Sequence, residues 1–332
     1  MTLTQLRYLV AIADSGLNIT TAAERVHATQ PGVSKQLKQL EDELGFQLFS
    51  RKGKSLLAIT PAGAQVLARA RVIVAEAANI RAIAADLRGE EAGELTIATT
   101  HTQARFVLPG AIARLKQRYP EVSVHLMPQG DAQVMTAFER GRADLAIVST
   151  TQSAPDGGLA IPLFRWRRAV IVPAAHPLTR IERPLGLVDL ARYPLVSYES
   201  SLRPESSLRQ AFAAAHAVAQ FAMTSRDADL IKTYVRAGLG VGILAEMALL
   251  AEDDRDLRVL AAADLLAPCT TWLVLRRDRV PRAYALTLVE WLAPQVDRRD
   301  VQRALAGEAT IWADAPQWRE REAPRTAVVR AA

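Results

Sequence analysis

Cysteine, aromatic residues and long apolar runs are scarce in this sequence. Its single cysteine, Cys269, cannot form a disulfide within the chain and fits a reducing compartment. No stretch approaches about 18 uncharged apolar residues, so we expect no transmembrane helix. The first residues have neither a charged start nor a small-residue cleavage site, so we expect no signal peptide. These absences favour a soluble protein of the cytoplasm.

The sequence also lacks the usual signatures of an enzyme. It contains no nucleophile elbow and no P-loop. The stretch GLGVG at residues 238–242 follows a helical pattern and opens a strand, which reverses the order found in dinucleotide-binding sites. Cys269 lies beside a strand and is more typical of a core thiol than of a nucleophile. The five histidines lack the spacing of metal ligands. They are His27, His101, His125, His176 and His216. We therefore expect no enzyme activity, no metal and no cofactor.

The chain is long enough for two or three domains, and its charge is unevenly distributed. It has 332 residues, of which 50% are hydrophobic and only 5% aromatic. The formal net charge is +6, and residues 45–75 contain basic side chains but no acid. Such a stretch suits a phosphate backbone, although a solvated basic face would have the same composition.

The first 59 residues predict a winged helix-turn-helix domain. Apolar residues at spacings of three and four indicate a first helix that ends near Gly16, followed by a short helix within residues 18–29. Thr29 can cap a third helix, which Gly45 closes. Gly53 then separates two short strand-like pieces, as the turn of a basic wing would. A small helical interaction domain with a polar surface is the alternative.

The second helix of such a motif enters the major groove of DNA, and its first residues reach base edges. Polar side chains near that end suit base or phosphate contacts, and basic side chains of the wing suit the backbone or the minor groove. The predicted DNA-binding residues are Thr29, Gln30, Pro31, Ser34, Lys35 and Lys38 on the helix and Arg51, Lys52 and Lys54 on the wing. We therefore expect double-stranded DNA as a partner.

The order of residues in this domain is similar to that of a known family. Residues 22–63 contain paired alanines, then the pattern QP.VS.Q...LE..LG..LF.R, then T.AG. This stretch resembles the DNA-binding domain of LysR-type transcriptional regulators. The resemblance implies that Gln30, Pro31, Ser34, Lys35 and Arg51 lie at the DNA. We also expect RNA polymerase as a partner.

Residues 60–92 predict a linker helix that pairs with a second subunit. Thr60 and Pro61 mark its start, and a helix of this length is rarely stable alone in water. Apolar residues recur at alternating fours and threes as a heptad-like seam, formed by Val66, Ala70, Ile73, Ala77, Ile80, Ala84 and Leu87. Packing against the helix's own domain is the alternative. The resemblance implies that this is a dimer helix and that the protein is a homo-oligomer, a dimer of dimers.

Strand and helix patterns alternate from residue 93 to residue 300, which predicts an α/β fold with two lobes around a cleft. We place the first lobe at about residues 93–163 and 267–300, and the second at about 164–266. The resemblance implies a periplasmic-binding-protein-like effector domain. Residues 301–332 are mixed in composition and contain prolines, so we expect a partly disordered tail.

Two strand ends in the first lobe are rich in small polar residues. Thr99–Gln103 contains three threonines, a histidine and a glutamine at a strand-to-helix junction, and residues 147–153 are rich in hydroxyls. Ligands of α/β sheets bind at the carboxyl ends of strands, close to the N–H groups of the following helices. The two junctions therefore predict a site for a small anion or carboxylate, and ordinary helix capping is the alternative.

The motifs TTHTQAR and DADLIKTYVR resemble the CysB-like, sulfur-metabolism branch of the LysR family. That resemblance implies a cleft that holds a sulfate-like or acylated-serine effector. The predicted effector-binding residues are Thr100, Thr102, Gln103, Ser149, Trp166, Ser201, Arg203 and Thr224. The second lobe departs from the family pattern at Ser200, Ser201 and Arg203, and the Arg203 side chain can either bind an anion or face solvent.

The resemblance favours an activator of sulfur assimilation or organosulfur use. Its effector would be sulfate, thiosulfate, an acetylserine or a sulfonate. A solute-binding protein without a DNA role and a LysR-type regulator of an unrelated pathway are the alternatives.

Overall fold

The computed structural model describes residues 1–53 and 55–322. They divide into two compact units, one formed by residues 1–90 and 278–282 and the other by residues 91–277 and those from 283 onward. Among the described residues, no helix is both long enough and apolar enough to cross a bilayer.

The first unit is helical apart from one hairpin. Its elements are α1 Leu3–Asp14, α2 Ile19–Arg25, α3 Gln30–Leu44, β1 Phe49–Lys52, β2 Ser55–Ile59 and α4 Pro61–Leu87. Side-chain caps start the helices, because Asn18 accepts a hydrogen bond from the Thr21 backbone N–H and Thr29 accepts one from the Gly32 N–H. Gly45 ends α3 in the left-handed conformation that favours glycine, with φ 77°.

A single apolar core joins the hairpin to the helices. Val33 and Leu37 of α3 pack with Leu48 and Phe49, which are fully buried at the base of the hairpin. Strands β1 and β2 are antiparallel and turn at Gly53, whose φ of 63° again favours glycine. The hairpin therefore presents its turn outward from a fixed base, as the wing prediction requires. Lys54, which follows the turn, lies outside the described residues.

Helix α4 divides the predicted seam between two environments. Ala70 is buried in the helix-turn-helix core, whereas Ile73, Ile80 and Leu87 are 43%, 62% and 83% exposed. The reason is geometric, since a straight α-helix drifts by about 20° per heptad and one seam cannot stay on one face. Ala70 of the predicted seam therefore packs within its own domain, and the exposed apolar stripe runs from Ile73 to Leu87. Its pairing with a second subunit stays a prediction.

Asn79 of α4 attaches a segment that is distant in sequence. Its Nδ2 donates to the backbone oxygen of Asp278 at 3.1 Å, and its Oδ1 accepts from the Val280 N–H at 2.9 Å. Residues 278–282 therefore belong to the first unit, although the sequence placed them in the effector domain.

The second unit contains two five-stranded sheets, and we call them lobe I and lobe II. The chain begins in lobe I with β3 Gly93–Thr99, α5 His101–Phe106, α6 Leu108–Arg118, β4 Val122–Pro128, α7 Asp131–Glu139, β5 Leu145–Thr150 and β6 Leu159–Trp166. Lobe II contains β7 Arg168–Pro173, α8 Leu187–Leu190, β8 Leu195–Tyr198, α9 Ser207–Ala214, β9 Phe221–Ser225, α10 Ala228–Arg236, β10 Val241–Ala245 and β11 Leu257–Leu260. The chain then returns to lobe I with β12 Cys269–Leu275, α11 Ala283–Leu292, α12 Arg298–Leu305 and α13 Trp318–Glu322.

The sheets confirm the predicted α/β class and two-lobed arrangement. Lobe I has the strand order β4-β3-β5-β12-β6, and lobe II has the order β11-β7-β10-β8-β9. In lobe I the strands β4, β3 and β5 pair in parallel, and β12 and β6 continue the sheet with antiparallel pairs. In lobe II the strands β10, β8 and β9 pair in parallel, and β7 and β11 continue the sheet with antiparallel pairs. Strand β6 continues to Trp166, three residues beyond the expected lobe boundary at residue 163. Arg167 alone separates it from β7.

Residues 301–322 differ from the expected tail. Val301 and Ala304 are buried in α12, and the Trp318 ring lies 4.9 Å from the Phe164 ring of β6. The Trp312 Nε1 donates to the backbone oxygen of Ala160 at 2.8 Å. The average composition of this segment did not predict these contacts, because two tryptophans can bury a large area in an otherwise polar segment. Residues 323–332 lie outside the described residues.

Candidate functional site

A cavity of about 840 Å³ lies in the second unit and is lined by residues of both lobes. The carboxyl ends of β3, β5, β6 and β8 border this cavity. Ligands of α/β sheets bind at such strand ends. Seven of the eight predicted effector residues line it, and they are Thr100, Thr102, Gln103, Ser149, Trp166, Ser201 and Arg203. The volume lies in the range of sites that hold small organic ligands.

Thr224 is the predicted effector residue that does not line the cavity. It lies in β9, where the next two residues, Ser225 and Arg226, contribute to the cavity wall. Because successive side chains of a strand point to opposite faces, the side chains of Thr224 and Ser225 diverge. The structure therefore does not place Thr224 at the cavity, and its role in effector binding stays a prediction.

Helix α5 and the residue that caps it supply three of the side chains at the cavity. Thr100 caps it, accepting a hydrogen bond from the Gln103 N–H at 3.4 Å. Thr102 Oγ1 donates to the Tyr198 hydroxyl of lobe II at 3.2 Å, and Gln103 Nε2 donates to Ser149 Oγ at 3.0 Å. The two hydroxyl-rich strand ends are thus brought into direct contact, and the capping alternative accounts for Thr100 only in part.

Thr271 of β12 holds this group together from behind. It is fully buried, and its Oγ1 lies 2.9 Å from Ser149 Oγ and accepts from Trp166 Nε1 at 3.0 Å. Gln103 Nε2 also reaches it, at 3.4 Å. Sequence reasoning missed Thr271, because it comes from a strand more than 100 positions away from α5. The only signal was a pair of polar residues within the apolar strand at residues 269–275.

Tyr198 connects the two lobes at the cavity and was also missed. Its hydroxyl accepts from Thr102 Oγ1 and from the Ala245 N–H, the latter at 3.2 Å. Removal from water raises the pKa of Tyr198, so the side chain stays a neutral phenol at physiological pH. A neutral hydroxyl can both donate and accept, which suits a bridge between lobes.

The cavity wall carries charges of both signs. Arg168 donates to Ser207 Oγ at 2.8 Å and to the Ala267 oxygen at 3.2 Å, while Arg203 lies on the wall with its side chain largely exposed. Glu199 and Arg226 pair with each other. Asp131, at the start of α7, is the carboxylate of lobe I that lies beside Ser200 of lobe II. Arg168 and Asp131 were not predicted.

Cys269 also lies on the cavity wall, but it is buried. Burial raises the pKa of its thiol, which keeps it protonated and unreactive, as a core thiol should be. Within residues 1–53 and 55–322, no group of three or more His, Cys, Asp or Glu side chains is placed to hold a metal ion.

The predicted DNA-binding residues of α3 form one exposed surface in the first unit. Pro31, Lys35 and Lys38 are exposed, and Gln30 Nε2 donates to Ser34 Oγ at 3.2 Å. Thr29 starts this surface as the cap of α3. The surface is therefore preformed at the beginning of the helix, where such motifs contact base edges.

Arg51 of the hairpin has an internal partner as well as an exposed position. Its Nη2 lies 2.7 Å from Glu41 Oε2, and Glu41 Oε1 accepts from the Leu48 N–H at 2.9 Å. The pair fixes the hairpin to α3, so Arg51 positions the wing in addition to any contact it makes with DNA. Lys52 is exposed beside it.

Two family models match this chain, one over its N-terminal part and one over most of the remainder. Residues 3–64 match the model of the bacterial regulatory helix-turn-helix protein, lysR family, and residues 88–297 match that of the LysR substrate binding domain. The chain belongs to the LysR family. It is therefore a LysR-type transcriptional regulator, as its motifs predicted. A solute-binding protein without a DNA role is excluded, because the helix-turn-helix match is part of the same chain.

Individual members of the LysR family are similar over most of the chain. The HTH-type transcriptional regulator CysB of Haemophilus influenzae is 41% identical over 92% of this chain and 94% of that protein. The HTH-type transcriptional regulator cbl of Escherichia coli is 36% identical over 91% of this chain and 97% of that protein. The crystal structure of the cofactor-binding domain of the Cbl transcriptional regulator superposes with a TM-score of 0.60 and 34% identity, covering 65% of this chain and 95% of that one. These LysR relatives are transcriptional regulators, which confirms that the chain is not an enzyme.

Proposed function

We propose that this LysR-type regulator binds promoter DNA through α3 and the β1–β2 wing, and that a small anionic effector in the cavity controls genes of sulfur assimilation or organosulfur use. The observation that carries the effector site is the hydrogen-bonded group of Gln103, Ser149, Trp166 and Thr271 beside Thr100 and Thr102. The sulfur assignment is supported by the similarity to CysB and cbl over nine tenths of the chain.

The cavity offers an anion several donors without a metal. Hydroxyl groups and the Gln103 amide can donate to its oxygens, and Arg168 adds a positive charge from lobe II. An anion that accepts a hydrogen bond from Thr102 Oγ1 competes with Tyr198, which accepts that bond in the free protein. Effector binding would then change the contact between the lobes. This is the step by which the cavity would signal.

The regulator would act as a homo-oligomer in the cytoplasm. The exposed apolar stripe of α4 suits a second copy of the same helix, and a dimer presents two recognition helices to two half-sites. Pairing of dimers and contact with RNA polymerase complete the proposal of an activator. Lys35, Lys38 and Lys52 would contact DNA directly, and Gln30 and Ser34 would exchange their mutual bond for base contacts.

The DNA proposal is tested by selection from a random duplex library, followed by fluorescence anisotropy with the selected sequence. Lys35→Ala should weaken binding by about 10- to 100-fold if the lysine reads a base, or reduce the salt slope by about one if it contacts a phosphate. Arg258→Ala removes an equal charge from an exposed position of the second unit. It should change neither the affinity for DNA nor the salt slope. Equal losses in both variants would contradict the assignment of α3.

The effector proposal is tested by calorimetric titration with sulfate, thiosulfate, O-acetylserine, N-acetylserine and alkanesulfonates. Binding of one of them should be lost in Thr100→Ala and Thr102→Ala. If the protein binds its selected DNA but none of these compounds, it regulates an unrelated pathway, which is the remaining alternative.

A further inference from the structure

Asp131 places a carboxylate in a cavity that otherwise suits an anion. It is the first residue of α7, and it faces the loop of lobe II that contains Ser200 and Arg203. Among the described residues, no basic side chain comes within ion-pair distance of Asp131. Arg168 and Arg203 act on it only from further away. The wall therefore contains Asp131 together with Arg168 and Arg203, neither of which forms an ion pair with it.

The surroundings of Asp131 leave its negative charge poorly compensated. Burial raises the pKa of Asp131, and this effect outweighs the opposite effects of Arg203, of the hydrogen bond from Ser200 and of Arg168. A carboxylate in that position gains most from a ligand group that is positively charged and can donate hydrogen bonds. It also repels a ligand that carries only negative charge, which a plain anion site would avoid.

The cavity is also large for an inorganic ion. About 840 Å³ is typical of sites that hold organic molecules. Its hydroxyl and amide donors Thr100 and Gln103 come from the start of α5, whereas Asp131 begins α7 and Ser200 and Arg203 come from lobe II. A molecule that contacts both groups needs two polar ends.

We propose that Asp131 is the subsite for a primary ammonium group, so that the effector is a zwitterion with its anionic end at the α5 hydroxyls. The chemical class is that of amino sulfonates and of acylated amino acids that keep a free α-amino group. This inference rests on the proposed function, because it places the anionic end in the same site. Ser200 lies beside the carboxylate, so an ammonium held there touches both lobes.

The test compares ligands with and without an ammonium group, using the full-length protein in calorimetric titrations at neutral pH. Taurine, isethionate and ethanesulfonate share a sulfonate and differ in carrying an ammonium, a hydroxyl or a hydrogen. O-acetylserine and N-acetylserine form a second pair, in which only the first keeps the ammonium. We expect the ammonium-bearing member of at least one pair to bind about 10- to 100-fold more tightly than its partners, as a charged hydrogen bond requires.

Two carboxylate-to-amide variants distinguish the proposed subsite from a general effect of negative charge on the cavity wall. Asp131→Asn should abolish the preference for the ammonium, and Glu205→Gln should retain it, because Glu205 is an exposed carboxylate on the same cavity wall. Binding of selected DNA by both variants shows that they are folded. An ammonium preference that survives Asp131→Asn overturns the inference, as does equal affinity within both pairs or no binding of any of these compounds.

One further outcome would assign Asp131 a different role. If anions without an ammonium bind best, and Asp131→Asn binds them as well as the wild type or better, then Asp131 acts as a protonated donor and the ammonium subsite is wrong. Such binding, if it still depends on Thr100 and Thr102, leaves the proposed anion site intact. The two proposals can therefore fail separately.

Discussion

Thr271 is a single hydroxyl on which three side chains of the cavity depend. Thr271→Val keeps the shape of the side chain and removes one partner each of Trp166 Nε1, Ser149 Oγ and Gln103 Nε2. Both nitrogens would then share Ser149 Oγ, so we expect the free energy of unfolding in urea to fall by about 1 kcal/mol, the usual net contribution of a hydrogen bond. Anion affinity should fall as well, because Gln103 and Ser149 lose their orientation. Thr270→Val is the control, since its side chain points to the opposite face of β12, and equal effects in both variants would contradict the role of the Thr271 hydroxyl.

Asp131 should destabilise the protein without ligand at neutral pH. An acid with a raised pKa in the folded state binds more protons there than in the unfolded state, so stability falls as pH rises between the two pKa values. Asp131→Asn should therefore raise Tm at neutral pH, where about 1 kcal/mol corresponds to about 2–4 °C in a domain of this size. The gain should disappear below about pH 4, where the carboxyl is protonated in both states. Scanning calorimetry over pH measures this, and a lower Tm of the variant at neutral pH would show that the carboxylate is stabilising.

These residues show which parts of the site a sequence reveals. Thr100, Thr102 and Gln103 lie within four positions of one another, so their shared chemistry is visible as a motif. Thr271 and Tyr198 reach the same cavity from other strands, and only the sheet pairing brings them there. Local signals such as caps and glycine turns are readable for the same reason, whereas long-range partners such as Asn79 and residues 278–282 are not.

Helix α4 has an exposed apolar stripe that a second subunit would cover. Ile80→Lys places a charge in that stripe and should shift the protein toward smaller species in sedimentation, because burying an unpaired lysine at an interface is unfavourable. Val218→Lys introduces the same charge at an exposed site of lobe II and should leave the distribution unchanged. A wild-type distribution for Ile80→Lys would argue that oligomers form through another surface.

Other elements explain motifs whose meaning the sequence did not show. In α10, part of the DADLIKTYVR motif, Lys232 is buried and lies 3.1 Å from Asp254 Oδ2 and 3.0 Å from Asp229 Oδ1. Asp229 also pairs with Arg105 at the end of α5, so an ion network joins the helix of the anion site to lobe II. These motif residues therefore hold α5 and lobe II together, although they do not line the cavity.

The whole molecule combines a DNA-binding unit and a ligand-binding unit in one chain, and this makes a quantitative demand. If an effector changes the affinity for DNA by some factor, then DNA must change the affinity for the effector by the same factor. We expect a factor of about 5 to 150, which is the usual range for coupled sites. Titrating the compound of the calorimetric panel that binds most tightly with and without selected DNA, and DNA with and without that compound, measures the coupling factor twice.

A matched variant makes that measurement specific. Lys35→Ala should keep its affinity for that compound but lose the effect of DNA on it, because the variant leaves the cavity unchanged and weakens only the DNA surface. Unequal factors from the two titrations would mean that one of them reports aggregation or a change of oligomeric state, since linkage at equilibrium permits a single value. A factor of one in both would separate the cavity from DNA binding. The regulator would then have to act after binding, by changing how the bound complex engages RNA polymerase.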